Sequence, residues 1–355
     1  MATLPLGYFP VAANFHLFEI LADTDKVVTG EEVLTAWKQK ATTLDDNATQ
    51  AVPGLVLIQD TLLAMGGLGV VDIPCDDLYS ANGATRHLAT ISSALHGGLH
   101  FTTEVILAAA FLMPMLKATN FAYPFRACET PLQYAYKKMG NEEYAKQHTY
   151  AIMAAEGRMD NFNTFMTGKF GKVAKIPDRL QSLGYDLGAL LETRPPTIKM
   201  VDIGGGRGEL LLEIKEAFSE LKAEDLIVQE FNEDLGDMDG FIVTNWDYRG
   251  KNTHPVTGAF IYHLSHILRN LPDLDAVRLL QKVAEAMAPY SRILVHESTK
   301  SVNYAFLHST MMELFGGRER NESDWREIAA VSGLRVTFLA CPALGEGVIQ
   351  LQKPW

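Results

Sequence analysis

Residues 201–208 read Val201-Asp-Ile-Gly-Gly-Gly-Arg-Gly208, and this octet constrains the chain more than any other stretch. An apolar strand runs into a glycine-rich turn, and the turn opens directly into the helix-forming stretch Glu209–Phe218. That succession belongs to layered α/β architecture around a mostly parallel sheet. Glycine lets the main chain come close to a ligand, and the helix N-terminus that follows favours an anionic or polar group. The spacing is neither G-x-G-x-x-G nor the phosphate loop with its Lys-Ser/Thr.

The stretch beyond keeps the same rhythm. Strands are predicted at Ile198–Ile203, Leu226–Glu230, Gly240–Val243, Gly258–Leu264 and Arg292–His296, with a helix starting at Asp273. A helix over Ser323–Ser332 and a strand pair near Val336–Ala340 and Val348–Leu351 close the chain. An acid followed by G-x-G-x-G is the arrangement that holds S-adenosylmethionine (SAM), or its product S-adenosylhomocysteine. Asp202, Gly204, Gly206 and Gly208 are the candidate cradle. Glu230 ends the next strand, placed to take both ribose hydroxyls, and Asp247 and Tyr248 follow the strand after, near the adenine.

The N-terminal third has a different character. Helices are expected at Asn14–Ala22, at Glu31–Gln39 behind the capping box Thr29-Gly-Glu-Glu32, and at Val52–Met65, followed by a two-stranded hairpin from Leu68. This is the order of a winged helix, so charge decides whether it reads DNA. Lys26, Lys38, Lys40, Arg86 and Lys117 face about twelve acids in residues 1–120, and Val52–Met65 carries no Lys or Arg. The whole chain has 31 basic against 43 acidic residues, net −12, which disfavours nucleic acid and anionic membranes as partners. A long helical stretch, Thr90–Lys138, is expected to break at Gly97-Gly98, Pro114 and Pro124. Its apolar run Val105–Leu116 falls short of the ~20 residues that span a bilayer. Three cysteines do not make a disulfide framework or a zinc site, no metal is expected, and without a leader pattern at Met1 a cytoplasmic protein is expected.

From about Leu17 to Pro354 the chain resembles the SAM-dependent O-methyltransferases typified by plant caffeate-type and fungal secondary-metabolite enzymes. The markers are Val201–Gly208, Phe162-Asn-x-x-Met166, Pro255-Val-x-Gly-Ala259, Ser291-Arg-Ile-Leu-Val295 and Gly316-Gly-Arg-Glu-Arg320. The resemblance implies a Rossmann-like SAM-binding domain (191–355) and an N-terminal α-helical, winged-helix-like dimerisation domain (1–120), with 121–190 as a helical linker contributing to the substrate pocket. It also implies a homodimer with helices crossing between protomers, and a small-molecule substrate held between the domains.

One departure outweighs these matches. The family pattern ends its strand with Leu-His-Asp-Trp, and that His removes the proton from the substrate hydroxyl. Here the segment reads Ser265-His-Ile-Leu-Arg269-Asn-Leu-Pro-Asp273, so Arg269 stands in place of the base. Guanidinium stays protonated and has no acceptor lone pair, so it donates and does not abstract. The carboxylates that orient the family's His remain as Glu297 and Glu319, and are expected to clamp Arg269. In this respect the chain resembles the SAM-dependent pericyclases of the leporin type, in which a cationic donor polarises a substrate carbonyl and SAM is kept. That likeness implies catalysis by Arg269, with His100 as second donor and His96 its competitor. The expected reaction is a cyclisation, with or without a preceding dehydration, of a polyketide-derived natural product. Phe162, Met166, His266, Met311, Met312 and Phe315 are the expected cavity lining. Two alternatives stay open: O-methyl transfer with His266 or His263 as a displaced base, and a non-enzymatic SAM-binding regulator.

Overall fold

The computed structural model describes residues 4–43, 51–170, 174–193, 200–231, 239–250 and 252–354. The chain divides into two compact units: Met1–Phe111 with Thr149–Val173, and Leu112–His148 with Ala174–Trp355. The segment 121–190, expected as one linker, is therefore shared out, with 149–173 in the first unit and its flanks in the second.

In the first unit, α1 (Phe9–Asn14) and α2 (Leu17–Ala22) replace the single helix expected over Asn14–Ala22, because the chain turns at His16, whose φ is 52°. The capping box is as read. Glu32 accepts the Thr29 N–H at 2.7 Å and Thr29 Oγ1 accepts the Glu32 N–H at 3.2 Å, opening α3 (Gly30–Thr43). After α4 (Leu55–Gly67) come β2 (Val71–Cys75) and β3 (Leu78–Ala81), and with β1 (Val28–Thr29) they form a three-stranded antiparallel sheet in the order β1-β3-β2. Phe18, Leu21, Trp37, Ile58, Leu62 and Val71 fill its core.

Beyond α5 (Gly83–Thr90), α6 (Ser92–His100), a π-helical turn Phe101–Val105 and α7 (Ile106–Ala118) join into one 27-residue helix. The expected break at Gly97-Gly98 is absent. These glycines admit neighbours instead: a Cβ at Gly97 would sit 2.7 Å from the Phe165 ring, and one at Gly98 2.3 Å from Phe9. Pro114 removes one amide donor, yet the helix continues to Ala118. By length and composition this helix reaches the threshold for a membrane span, contrary to the expectation from Val105–Leu116, and only 22% of its apolar window is buried. Helices α9 (Thr149–Ala155) and α10 (Met159–Phe170) complete the unit.

The second unit takes in the end of α7 from Leu112 and then α8 (Pro131–Lys138), and α11 (Ile176–Ser182) and α12 (Leu187–Glu192) lead into the sheet. Its strands are β4 (Met200–Ile203), β5 (Leu226–Glu230), β6 (Ile242–Asn245), β7 (Ile261–Ser265), β8 (Arg292–Ser298), β9 (Arg335–Ala340) and β10 (Glu346–Gln352). Their order is β6-β5-β4-β7-β8-β10-β9; the first five are parallel, and β10 runs antiparallel to β8 and β9. Strands this apolar need cover on both faces. One face packs Val201, Tyr262, Leu264 and Val295 against Leu280 and Val283 of α14 (Asp273–Ala286). The other sets Met200, Val228 and Leu294 against Leu180, Leu187 and Leu211, the last on α13 (Glu209–Ala217). The strand order reverses between β4 and β7, and in open α/β sheets ligands bind at the carboxyl ends beside such a switch. The loops that follow β4 and β7 hold the glycine octet and Arg269.

Candidate active site

The glycine loop is packed on its inner side and open at its tip. Gly204, Gly206 and Gly208 take φ of 71°, 58° and 76°. A Cβ at Gly204 would fall 2.4 Å from Ile267 Cδ1, and one at Gly208 2.2 Å from the Phe241 ring, so torsion and space both exclude larger residues. At Gly206 nothing lies within 4 Å of the Cβ position. Helix α13 then begins at Glu209 with no side-chain cap on its first amides. Glu230, at the end of β5, reaches the loop: its Oε2 accepts the Gly206 N–H at 3.0 Å and its Oε1 the Phe231 N–H at 2.9 Å.

Past β6, Asp247 Oδ1 accepts the Arg249 N–H at 2.9 Å, and the Arg249 guanidinium lies 4.7 Å from the Tyr248 ring centre. Burial raises the Tyr248 phenol pKa; the Arg249 charge opposes this while Glu230 and Asp247 add to it. Asp202 is buried, its Oδ1 bonded to His263 Nδ1 at 2.8 Å and its Oδ2 seated under Gly205, so it braces the loop from behind. A carboxylate suited to a diol, uncapped amides suited to an anionic end, and a tip open at Gly206 fit the SAM that the resemblance implies.

Arg269 lies on the 3-10 turn Leu268–Asn270 just past β7 and is 5% exposed. Its Nη2 stands 2.5 Å from Glu319 Oε1, and its Nη1 donates to Ser298 Oγ at 3.3 Å. Glu297 does not join the expected two-sided clamp. Its Oε1 accepts the backbone N–H groups of Leu268 (2.8 Å) and Arg269 (3.2 Å), holding the turn rather than the guanidinium. Burial pushes the Glu297 carboxyl up to about 8; Arg269 pulls it down and Glu319 pushes it further up. One guanidinium does not neutralise two buried carboxylates, and the short contact assigns it to Glu319.

The Gly316–Arg320 segment, a family marker in the sequence, has a physical role here. A Cβ at Gly317 would sit 2.1 Å from the Arg269 carbonyl oxygen. The buried Arg320 donates to the carbonyls of Leu268 (2.7 Å) and Leu271 (2.9 Å) and pairs with Asp273 at 2.8 Å. Two amides of the turn, its Leu268 carbonyl and the Leu271 carbonyl just beyond it are thus satisfied from outside, and the guanidinium is aimed by a fixed backbone.

His266 stands three residues earlier, at φ 55°, with Nδ1 3.4 Å from Arg269 Nη1. Its Nε2 meets Glu346 Oε1 at 2.7 Å, while Glu346 Oε2 lies 3.1 Å from His296 Nε2 and the same carboxylate pairs with Arg179. The sequence reading missed Glu346, His296 and Ser298. Only the antiparallel register that sets Glu346 opposite Ser298 brings the last strand to this place. His263, the other alternative base, is wholly buried on Asp202.

In the first unit, His100 is buried with Nδ1 3.2 Å from Glu104, one helical turn on, and Glu104 also meets Arg158 Nε at 3.1 Å. Burial raises the Glu104 pKa, but hydrogen bonds with His100 and Thr103 and the Arg158 charge outweigh it and hold it low. His96 instead pairs with Asn161 at 2.6 Å. His100, Glu104, Arg158 and Asn161 border a cavity of about 40 Å³, and Phe162 packs edge-on to the His100 ring at 5.3 Å. Met166, on the same helix α10 as Phe162, is half-buried. In the second unit, Met311 is half-buried on α15 (Ala305–Phe315), whereas Met312 and Phe315 are buried there, Met312 against Tyr123 and Phe315 against His148.

The O-methyltransferase domain family matches residues 189–335. O-methyltransferase bfoE of Aspergillus brasiliensis is 45% identical over 351 residues, spanning 98% of this chain and 92% of that protein. O-methyltransferase aunE of Aspergillus niger is 46% identical over 352 residues, spanning 98% and 99%. The solved structure of the LepI complex with SAM superposes with a TM-score of 0.74 at 20% identity, covering 98% of this chain and 86% of that one.

Proposed function

The chain belongs to the O-methyltransferase family, and within it we propose an enzyme that binds SAM without consuming it and catalyses a pericyclic cyclisation of a polyketide-derived small molecule. The observation that carries this reading is the buried Arg269–Glu319 pair on the turn after β7, where the resemblance implies a base. Arg269 donates through its guanidinium to a substrate carbonyl, lowering the energy of the conjugated system it ends and stabilising negative charge as the transition state polarises. The turn held by Glu297, Arg320 and Gly317 keeps the donor fixed, so little reorganisation accompanies reaction. Glu230 and the Gly204–Gly208 loop would hold the cofactor, which supplies a fixed sulfonium charge. His100, buried against Glu104, is proposed as a second donor.

The test is incubation of purified enzyme with SAM and linear precursors, following S-adenosylhomocysteine and isomeric product together. Cyclised product of unchanged mass without S-adenosylhomocysteine is expected, lost in Arg269→Ala and partly kept in Arg269→Lys. Losing the donor raises the barrier by about 2.7–4 kcal/mol, by analogy with oxyanion-hole deletions. S-adenosylhomocysteine formed in step with product overturns the reading. A second reading, O-methyl transfer with His266 as base, is favoured by the His266–Glu346 contact and by the names of the two relatives.

A further inference from the structure

We propose that Glu346 is a positioning residue that fixes His266 as the proton acceptor of this site, beside the Arg269 donor, for a substrate whose enol or phenol oxygen bridges the two. The inference rests on the reading of Arg269 as a group that touches substrate oxygen.

An ionised carboxylate only accepts hydrogen bonds. Burial opposes ionisation of Glu346, but the hydrogen bonds it accepts from His266 and His296 outweigh burial and hold its pKa below the ordinary carboxylate range, and the Arg179 guanidinium pairs with the ionised group. His266 therefore directs an Nε2–H at Glu346 Oε1, 2.7 Å away, and a neutral ring then carries its lone pair on Nδ1. Nδ1 is the atom that faces Arg269 Nη1. The side chain is held at a cost to the backbone: φ of 55° is unusual outside glycine, and it persists with the His266 N–H bonded to the His296 carbonyl at 3.0 Å and the Asn270 amide donating to the His266 carbonyl at 3.1 Å. Glu346 from β10, His296 from β8 and Arg269 from the turn lie beside the ring, with Arg179 of α11 on the same carboxylate of Glu346.

At 3.4 Å the Arg269–His266 contact is at the long limit of a hydrogen bond and is readily exchanged for better partners. A hydroxyl oxygen between them accepts from Nη1 and donates its hydrogen to Nδ1. In the step itself the O–H bond breaks and an N–H bond forms on Nδ1. The electron pair stays on an oxygen faced by the guanidinium, and the proton returns from Nδ1 to the product, so no co-reactant is needed. Such a site selects enolisable carbonyl compounds or phenols, whose protons are acidic enough for a neutral imidazole.

The experiment uses full-length protein loaded with SAM. Long-range nitrogen–proton NMR of histidine-labelled wild type should show the His266 proton on Nε2. Glu346→Gln should lower kcat about 10²-fold, within the range of a disabled general base, with KM within about twofold. Loss of the carboxylate lowers the basicity of His266, so the acid limb of the kcat profile should move to lower pH. SAM affinity should stay near wild type, and Glu346→Asp should recover part of the rate. A wild-type His266 protonated on Nδ1, or Glu346→Gln with unchanged kcat and pH profile, overturns the inference whether or not that variant is stable. If Arg269→Ala abolishes turnover while Glu346→Gln is normal, only this inference fails. If Arg269→Ala is normal while Glu346→Gln and His266→Gln are impaired, the donor role of Arg269 fails instead.

Discussion

Replacing Glu297 by Gln should stabilise this protein in mild alkali and leave it little changed in acid. In the folded chain the Glu297 carboxyl titrates at about 8, against 4.5 for the ordinary side chain, because it is fully buried and the neighbouring guanidinium is committed to Glu319. The folded pKa is raised, so the stabilising effect is complete below the unfolded value and is lost as pH climbs toward 8. Across that window the folded state keeps a proton that the unfolded chain releases, at about 1.4 kcal/mol per pH unit, or about 4–5 kcal/mol in all. Glutamine keeps an Oε1 acceptor for the Leu268 and Arg269 amides and presents no charge. Urea unfolding followed by tryptophan fluorescence at pH 5, 7 and 9 reads the difference. Wild type should lose stability from pH 5 up to about 8 and level off above it, and the variant should lose less, so that the gap is widest at pH 9. Turnover at pH 7 should stay within severalfold of wild type, since Glu297 is already neutral there. A variant whose stability runs parallel to wild type at all three pH values refutes the assignment of the charge to Glu319.

Further outcomes follow from the cradle and the long helix. Glu230→Ala should weaken SAM binding in calorimetry by about 1.5–3 kcal/mol, roughly 10- to 150-fold in Kd, if the carboxylate holds the ribose. Gly208→Ala combines a positive φ with a clash against Phe241; it should abolish measurable SAM binding and cost on the order of 1–3 kcal/mol in thermal unfolding. Light scattering at micromolar concentration should report a dimer, because the helix Ser92–Ala118 leaves most of its apolar window uncovered by its own chain; a stable monomer counts against it.

The sequence by itself determined what depends on neighbouring residues and on residue type. The strand–glycine–helix octet, the alternation of strands and helices and the Thr29–Glu32 capping box are local, and the structure repeats them. That Arg269 donates and does not abstract is chemical, since no environment gives a guanidinium an acceptor lone pair. Local punctuation misled where packing overrode it: Gly97 and Gly98 read as a break, and they are small because Phe165 and Phe9 press against the helix. What only the tertiary structure decided are the relations between distant segments. Glu297 and Glu319 look equivalent in sequence, yet one holds amides while the other takes the guanidinium. Asp202 lies behind the glycine loop on His263, a contact that no motif records. Glu346 belongs to no motif and reaches His266 because β10 turns back antiparallel along β8. Such contacts depend on strand order and register, which are set by burying two faces of one sheet at once, and short-range pattern carries no record of which distant carboxylate will arrive beside which cation.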